Sequence, residues 1–415
     1  MSELSSNNKT TTTTTTECLC LATFDKTCTF KVTTFQRRAP TSRDVVIDMK
    51  YCGICHSDLH TAHGDLAGVA PMHYPCVPGH ELAGICISIG SEVTRVKVGD
   101  HIGIGCIVDS CLECDACKRG EEQMCKKMVG TYNSTDKTGS GRSNNAPNGP
   151  SYTLGGYTNK FVIDERFAVI IPKNYPLELA GPVMCAGTTL FDPLRRYGAK
   201  EGTRVGIVGM GGLGQLGVKI AKAMGCVVTA ITSSSSKIEF AKKLGADCVL
   251  VSSSKEEMKA AKGTLDLILN TISVEHDYFE YSKLLETGKG LHVILGLNSI
   301  LGALMICGSG PRLTKSVIGG IESSQAVIDL CAKHNILPEI SIIGVDGVNA
   351  VYEDLSKGNA TGLRYVIDLK TLNEADAESK CLNVKSPALA PHVSGMTIMT
   401  ILATAFDMWY NSKAK

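Results

Sequence analysis

Val205-Gly206-Ile207-Val208-Gly209-Met210-Gly211-Gly212-Leu213-Gly214 is the stretch that decides the fold. A short apolar run of strand type ends on G-x-G-x-x-G, and residues 213–224 continue with apolar positions at helical spacing. The first glycine permits a tight turn. The second lets backbone approach a pyrophosphate at the helix N-terminus, and the third lets helix pack closely on strand. The motif alone is weak, but between strand and helix it predicts a dinucleotide site at Gly209, Gly211, Gly212, Leu213 and Gly214.

Working outward, strand patterns at 205–208, 227–231, 267–269 and 292–295 alternate with helical patterns at 213–224, 237–244 and 279–285. Such alternation means βαβ units and a doubly wound parallel sheet, continuing to about residue 320. About 20 residues past the glycines, NAD-binding chains place an acidic residue for the ribose 2′-hydroxyl. This chain has Thr232-Ser233-Ser234-Ser235-Ser236-Lys237 instead. With no carboxylate to repel a 2′-phosphate, and with hydroxyls and an ammonium to bind one, Thr232, Ser233, Ser234 and Lys237 favour NADP(H). A polar turn capping the next helix explains the serines but not the missing acid.

Upstream, from about Glu17, short β-type runs such as Val45-Val46-Ile47 and Gly84-Ile85-Cys86-Ile87 are punctuated by Gly, Pro and Asp, which predicts an irregular β-rich domain. After the sheet, a helix at 325–334, a strand at 340–343, a helix at 348–355 and a strand at 363–369 are expected to rejoin it. The division is 1–16 disordered, 17–185 with 325–372 the β-rich catalytic domain, 186–324 the cofactor domain, and 373–415 a C-terminal extension. A chain of 415 residues has room for two cores and a cleft. Lysine plus arginine number 42 against 41 acidic residues, a balance that leaves no footprint of nucleic-acid binding and points to a small-molecule partner. The 18 cysteines stand in a chain that opens with no secretory signal, so reduced thiols and a cytoplasmic setting are expected. In the tail, 393–406 carries no charged residue but is short of the roughly 20 needed to span a bilayer. A weak membrane tether and a surface-docked helix both stand open for it.

Two sets of soft ligands remain. Cys111, Cys114, Cys117 and Cys125 are spaced C-x2-C-x2-C-x7-C, which can wrap one tetrahedral zinc with no position left open, a structural site. Cys55, His80, Glu81 and Cys185 form a second set.

Cys52-Gly-Ile-Cys55-His56-Ser57-Asp58-Leu59-His60, Gly79-His80-Glu81 and Met184-Cys185-Ala186-Gly187 closely resemble the zinc-dependent medium-chain alcohol dehydrogenases. Within them the match is to the cinnamyl-alcohol-dehydrogenase-like branch, especially its microbial broad-range NADPH-dependent aldehyde reductases. It runs from about Phe35 to Leu369 and includes Gly105-Cys106-Ile107-Val108-Asp109-Ser110-Cys111, Gly130-Thr131-Tyr132-Asn133-Ser134 and Leu154-Gly155-Gly156-Tyr157. The resemblance implies an α/β chain, a GroES-like catalytic domain plus a Rossmann cofactor domain, with two Zn2+ per chain and a homodimer joined through the cofactor domains. It implies Cys55, His80 and Cys185 as constant ligands of a catalytic zinc, with Glu81 as an exchangeable fourth. Two thiolates and a neutral imidazole suit that ion and leave a position for water or substrate. Asp58 matches the carboxylate that orients the ligand imidazole, and Cys52 reads as a packing residue. Ser57 and His60 match a proton relay, His56 a contact to the cofactor pyrophosphate and Thr189 a further cofactor contact.

The chain departs from the plant enzymes in having Met128-Val129-Gly130-Thr131 where they place a tryptophan; its sole tryptophan is Trp409. That favours aliphatic or simple aromatic aldehydes over lignin precursors. Residues 298–315 also look unlike the family. The expected activity is zinc- and NADP(H)-dependent interconversion of aldehyde and alcohol. The alternatives are an NAD-dependent polyol or alcohol dehydrogenase, which would favour an acid near Thr232, and a non-enzymatic zinc protein, which would not need an intact second ligand set.

Overall fold

The strand Arg204–Val208 is buried from Val205 onward and lies inside a six-stranded, wholly parallel sheet. Its order is Cys248–Val251, Val227–Thr232, Arg204–Val208, Leu267–Asn270, Leu291–Ile294, Leu313–Lys315. The direction of progression reverses at Arg204–Val208, so the carboxyl ends of that strand and its neighbour Leu267–Asn270 open a crevice, the usual ligand position in such sheets. The computed structural model describes residues 15–65, 72–142, 151–274, 276–296, 313–358 and 363–373.

A second sheet of seven strands runs Ile340–Ile343, Arg364–Asp368, Asp44–Ile54, Glu81–Ile89, His101–Ile104, Val169–Ile171, with Lys160–Asp164 pairing to Asp44–Ile54. The returning chain is thus knitted into the β-rich unit, Tyr365 opposite Ile54 and Asp368 opposite Tyr51. A separate hairpin, Thr16–Thr23 with Phe30–Arg37, is pinned by Arg37. Its guanidinium is fully buried between the rings of Phe35 and Phe161 and donates to the carbonyls of Lys160, Leu154 and Gly155 at 2.9, 3.1 and 2.9 Å. Satisfying its N–H groups in this way is what makes burial of the charge tolerable.

The cores of the two units are joined by one continuous helical run, Leu177–Pro182, the π-helical turn Val183–Gly187 and Thr188–Arg196. Val183, Met184, Ala186, Leu190 and Leu194 of this run are buried in one cluster with Val205 and Ile207 of the parallel sheet and Val169 and Ile171 of the other.

Several expectations need correction. The strand Thr16–Thr23 begins on the last residue of the stretch expected to be disordered, and Thr15 Oγ1 donates to Gln36 Oε1 at 2.9 Å. Residues 1–14 lie outside the described residues. The division at 185/186 falls within the helical run, and that at 324/325 falls within the helix Ile321–His334, which starts four positions earlier than the pattern suggested. The strand Cys248–Val251 was not anticipated, and the helix at Tyr278–Ser282 ends sooner than expected. Most of 298–315 and the extension from residue 374 lie outside the described residues. Among the described residues no helix is long and apolar enough to cross a membrane.

Candidate active site

Cys55, His80, Glu81 and Cys185 each offer a ligand atom, and these atoms lie within 4.8 Å of one another. They come from four places: the end of the strand Asp44–Ile54, the residue before the strand Glu81–Ile89, that strand's first residue, and the π-turn. Glycines make the convergence possible. A Cβ on Gly53 would overlap the Glu81 carboxylate, and one on Gly79, whose φ is +105°, would meet Tyr157 Cδ1 at 2.7 Å and Cys52 Sγ at 2.9 Å. Cys52 itself is fully buried, its Sγ 3.6 Å from the Gly53 carbonyl.

Asp58 organises the imidazole. Fully buried at the start of the helix His56–His63, it accepts from His80 Nδ1 at 2.9 Å, Gly79 N–H at 3.1 Å and Cys55 N–H at 2.9 Å. Holding the proton on Nδ1 leaves Nε2 as the electron-pair donor, and that atom lies 3.1 Å from Cys185 Sγ. Burial pulls the His80 imidazole down, yet Asp58, together with Cys106 and Cys55, outweighs it and raises the group well above its ordinary value. The Cys55 thiol is pulled well below its own, first by its contact with Cys185. Two thiols and an imidazole backed by a buried carboxylate are a donor set that suits a cation.

Glu81 supplies a second test. Its Oε1 accepts from Arg364 at 2.8 Å, while Oε2 is buried with no partner. Burial raises its carboxyl against the pull of Arg364. An orphaned carboxylate oxygen within ligand distance of two thiols and an imidazole fits a metal that this carboxylate can reach.

The four-cysteine lobe fits its ion on distances. Cys114 Sγ lies 3.5 Å from Cys117 Sγ, Cys125 Sγ 3.5 Å from Cys111 Sγ, and Cys111 Sγ 3.9 Å from Cys117 Sγ. A tetrahedron of sulfurs around zinc at about 2.3 Å has edges of about 3.8 Å. Backbone N–H groups of Glu113 and then Cys114 bring the Cys111 thiol down to about 6, which favours its metal-binding form. Every described cysteine is a free thiol.

The glycine turn lies at the carboxyl end of Arg204–Val208, with Gly209 at φ +92° and Gly211 preceding the helix Gly212–Ala223. A Cβ on Gly214 would overlap the Gly209 carbonyl, whereas one on Gly211 would meet nothing within 4 Å. The third glycine is therefore a packing requirement, and the second borders an open cradle that a pyrophosphate fits. Leu213 lies in the first turn of that helix. Thr232 ends its strand buried, and its Oγ1 accepts from Ser234 N–H at 3.3 Å. Ser233 is exposed beside it, and Ser234 Oγ lies 2.7 Å from Ser236 Oγ. Lys237 Nζ donates to the Met210 carbonyl at 3.4 Å, which brings its charge against the glycine turn.

Ser57 Oγ is 3.7 Å from Cys55 Sγ, in the first turn of His56–His63. His60 lies on the same helix, 38 % exposed, with Nδ1 2.9 Å from Asp65 Oδ2. His56 is exposed at the helix start. Thr189 is buried, its hydroxyl donating to the Val317 carbonyl at 3.3 Å. Three further residues carried no assigned role in the sequence. Arg364 pairs with Glu81; its partner is remote in the chain and no local pattern marks it. Tyr132 sets its ring 5.6 Å from that of His80, inside a motif quoted only for its resemblance. Cys106 contacts Cys185.

Residues 41–173 match the alcohol dehydrogenase GroES-like domain and residues 212–333 the zinc-binding dehydrogenase family. NADP-dependent alcohol dehydrogenase C 1 of Mycolicibacterium smegmatis is 43 % identical over 82 % of this chain and 94 % of its own length. Aldehyde reductase YahK of Escherichia coli is 40 % identical over 81 % and 94 % respectively. Among solved structures, a cinnamyl alcohol dehydrogenase of Sorghum bicolor shares 36 % identity over 86 % of this chain and 99 % of its own, with a TM-score of 0.76. The corresponding enzyme of Helicobacter pylori, complexed with NADP(H), gives 36 %, 87 %, 100 % and 0.74.

Proposed function

Because the chain belongs to the zinc-binding alcohol dehydrogenase family, we propose that it is an NADP(H)-dependent aldehyde reductase and alcohol dehydrogenase. The observation that carries this reading is the convergence of Cys55, His80, Glu81 and Cys185, in a chain that also has an open glycine turn whose flank offers hydroxyls and an ammonium in place of an acid. Zinc, when bound by Cys55, His80 and Cys185, polarises a carbonyl, and NADPH supplies hydride to its carbon.

The chain's own residues do the rest. Asp58 fixes the His80 tautomer, and Arg364 holds Glu81 Oε1 so that only Oε2 can move onto the ligand position. Ser57, beside Cys55, would donate the proton that the reduced oxygen requires, and His60, reaching solvent from the same helix, would exchange that proton with solvent. His56 and the N-terminus of Gly212–Ala223 would take the pyrophosphate, Thr189 would make a further cofactor contact, and Thr232, Ser233, Ser234 and Lys237 would take the 2′-phosphate. Cys111, Cys114, Cys117 and Cys125 hold a structural zinc. The β-rich unit with the returning strands forms the catalytic domain and the parallel sheet the cofactor domain. The working form is a homodimer in the cytoplasm, consistent with free thiols throughout the described residues.

The test is nicotinamide absorbance while purified protein is offered aliphatic and aromatic aldehydes with NADPH or NADH. Rapid, NADPH-selective oxidation is expected. Equal use of NADH would overturn the cofactor reading, and silence in a chain that carries two zinc ions per copy would overturn the activity.

A further inference from the structure

The four-cysteine lobe and the turn carrying Cys185 are linked through one buried carboxylate. Glu122 lies three residues before Cys125, is 8 % exposed, and its Oε2 accepts from the Ile321 N–H at 3.0 Å. Ile321 opens the helix Ile321–His334, whose N-cap is Gly320, a residue with no side chain to satisfy the first amides. The lobe supplies the cap instead. The approach is so close that a Cβ on Gly320 would overlap the Gly120 carbonyl and meet Glu122 Oε2 at 2.5 Å.

The path continues on the helix. Ser324 Oγ donates to the Gly320 carbonyl at 3.1 Å and lies 3.1 Å from Thr188 Oγ1, which in turn is 3.4 Å from the Val183 carbonyl. Val183 and Thr188 bracket the π-turn Val183–Gly187. Val327, one turn along the helix and fully buried, packs against Gly187. Ser323 Oγ donates to Asp192 Oδ1 at 2.9 Å and fixes the other side of the same run.

We propose that Glu122 is a positioning residue through which the metal-held shape of the four-cysteine lobe sets the position of the Cys185 turn and so the hold of the Cys55, His80, Cys185 set on its ion. This rests on the reading of both sets as zinc sites. A cap removed from Ile321 leaves the first N–H of a half-buried helix end without its partner, and the helix end, Ser324 and Thr188 relax together. The lobe then acts on catalysis at a distance without touching substrate.

The experiment follows zinc release from the full-length, zinc-loaded protein to a chromogenic chelator, with Cys185→Ser and Cys114→Ser identifying the two phases. Glu122→Ala is expected to accelerate the Cys185-set phase about tenfold, with the lobe phase unchanged. Glu122→Gln, which keeps an acceptor oxygen, should restore the parental rate. Gly320→Ala, whose φ of −77° suits alanine, should reproduce Glu122→Ala by forcing the lobe away. Cys114→Ser should accelerate the same phase, and the double variant with Glu122→Ala no further. Parental release from Glu122→Ala and Gly320→Ala, equal acceleration of both phases, or additive effects in the double variant would each overturn the proposal. A parent chain holding one zinc overturns this inference and the functional reading together; a two-zinc parent silent toward aldehydes overturns the function alone.

Discussion

At the scale of single residues, charge placement decides both chemistry and stability. Cys185→Ser removes one thiolate from a set whose other members stay in place; turnover should fall by at least about a thousandfold while the lobe keeps its zinc, measured by metal analysis beside the absorbance assay. Lys237→Ala should raise KM for NADPH about tenfold and leave NADH unchanged, as expected for loss of one exposed charge-assisted bond. Asp44 is fully buried, bonded by Arg38 at 2.5 and 2.8 Å and by Thr41 N–H and Oγ1 at 2.5 and 2.6 Å. Burial pushes its carboxyl up, but Arg38 and Thr41 together hold it below the usual range. A carboxyl lowered on folding stabilises above its unfolded value near 4 and loses that contribution as pH falls through the folded value. Asp44→Asn should therefore cost about 3 kcal/mol at pH 7, and denaturant midpoints of variant and parent should converge in strong acid.

At the scale of elements, the glycine turn separates packing from binding. Gly214→Ala should destabilise the cofactor sheet, because its Cβ overlaps the Gly209 carbonyl. Gly211→Ala should keep the parental melting temperature and lose NADPH affinity, since its Cβ enters open space only the cofactor uses; calorimetric melting and fluorescence titration distinguish the two. This turn was legible in sequence because strand, glycines and helix are contiguous, as was the four-cysteine lobe. The start of the helix Ile321–His334 was not: Glu322-Ser323-Ser324 reads as polar loop, and the cap that makes it helical is Glu122, from another part of the chain. Arg364 escaped notice for the same reason, its meaning residing in Glu81, 283 residues away. The ligand residues themselves came from resemblance to a family, and the geometry then drew them together.

At the scale of the whole molecule, the two metal sites differ in the length of chain each must close. Cys111 to Cys125 is a short local loop, whereas the second set spans Cys55 to Cys185 and is completed by a strand near the end of the fold, Arg364–Asp368 laid against Asp44–Ile54. Loop-closure entropy and directional synthesis set an order of events from this difference. The lobe can take its ion while the parallel sheet is still emerging from the ribosome. Within the second set, Glu81 gains its ion pair only once Arg364 has been made. A chain stopped short of that strand would keep all four ligand residues of the second set but leave the Glu81 carboxylate without the guanidinium that holds its Oε1.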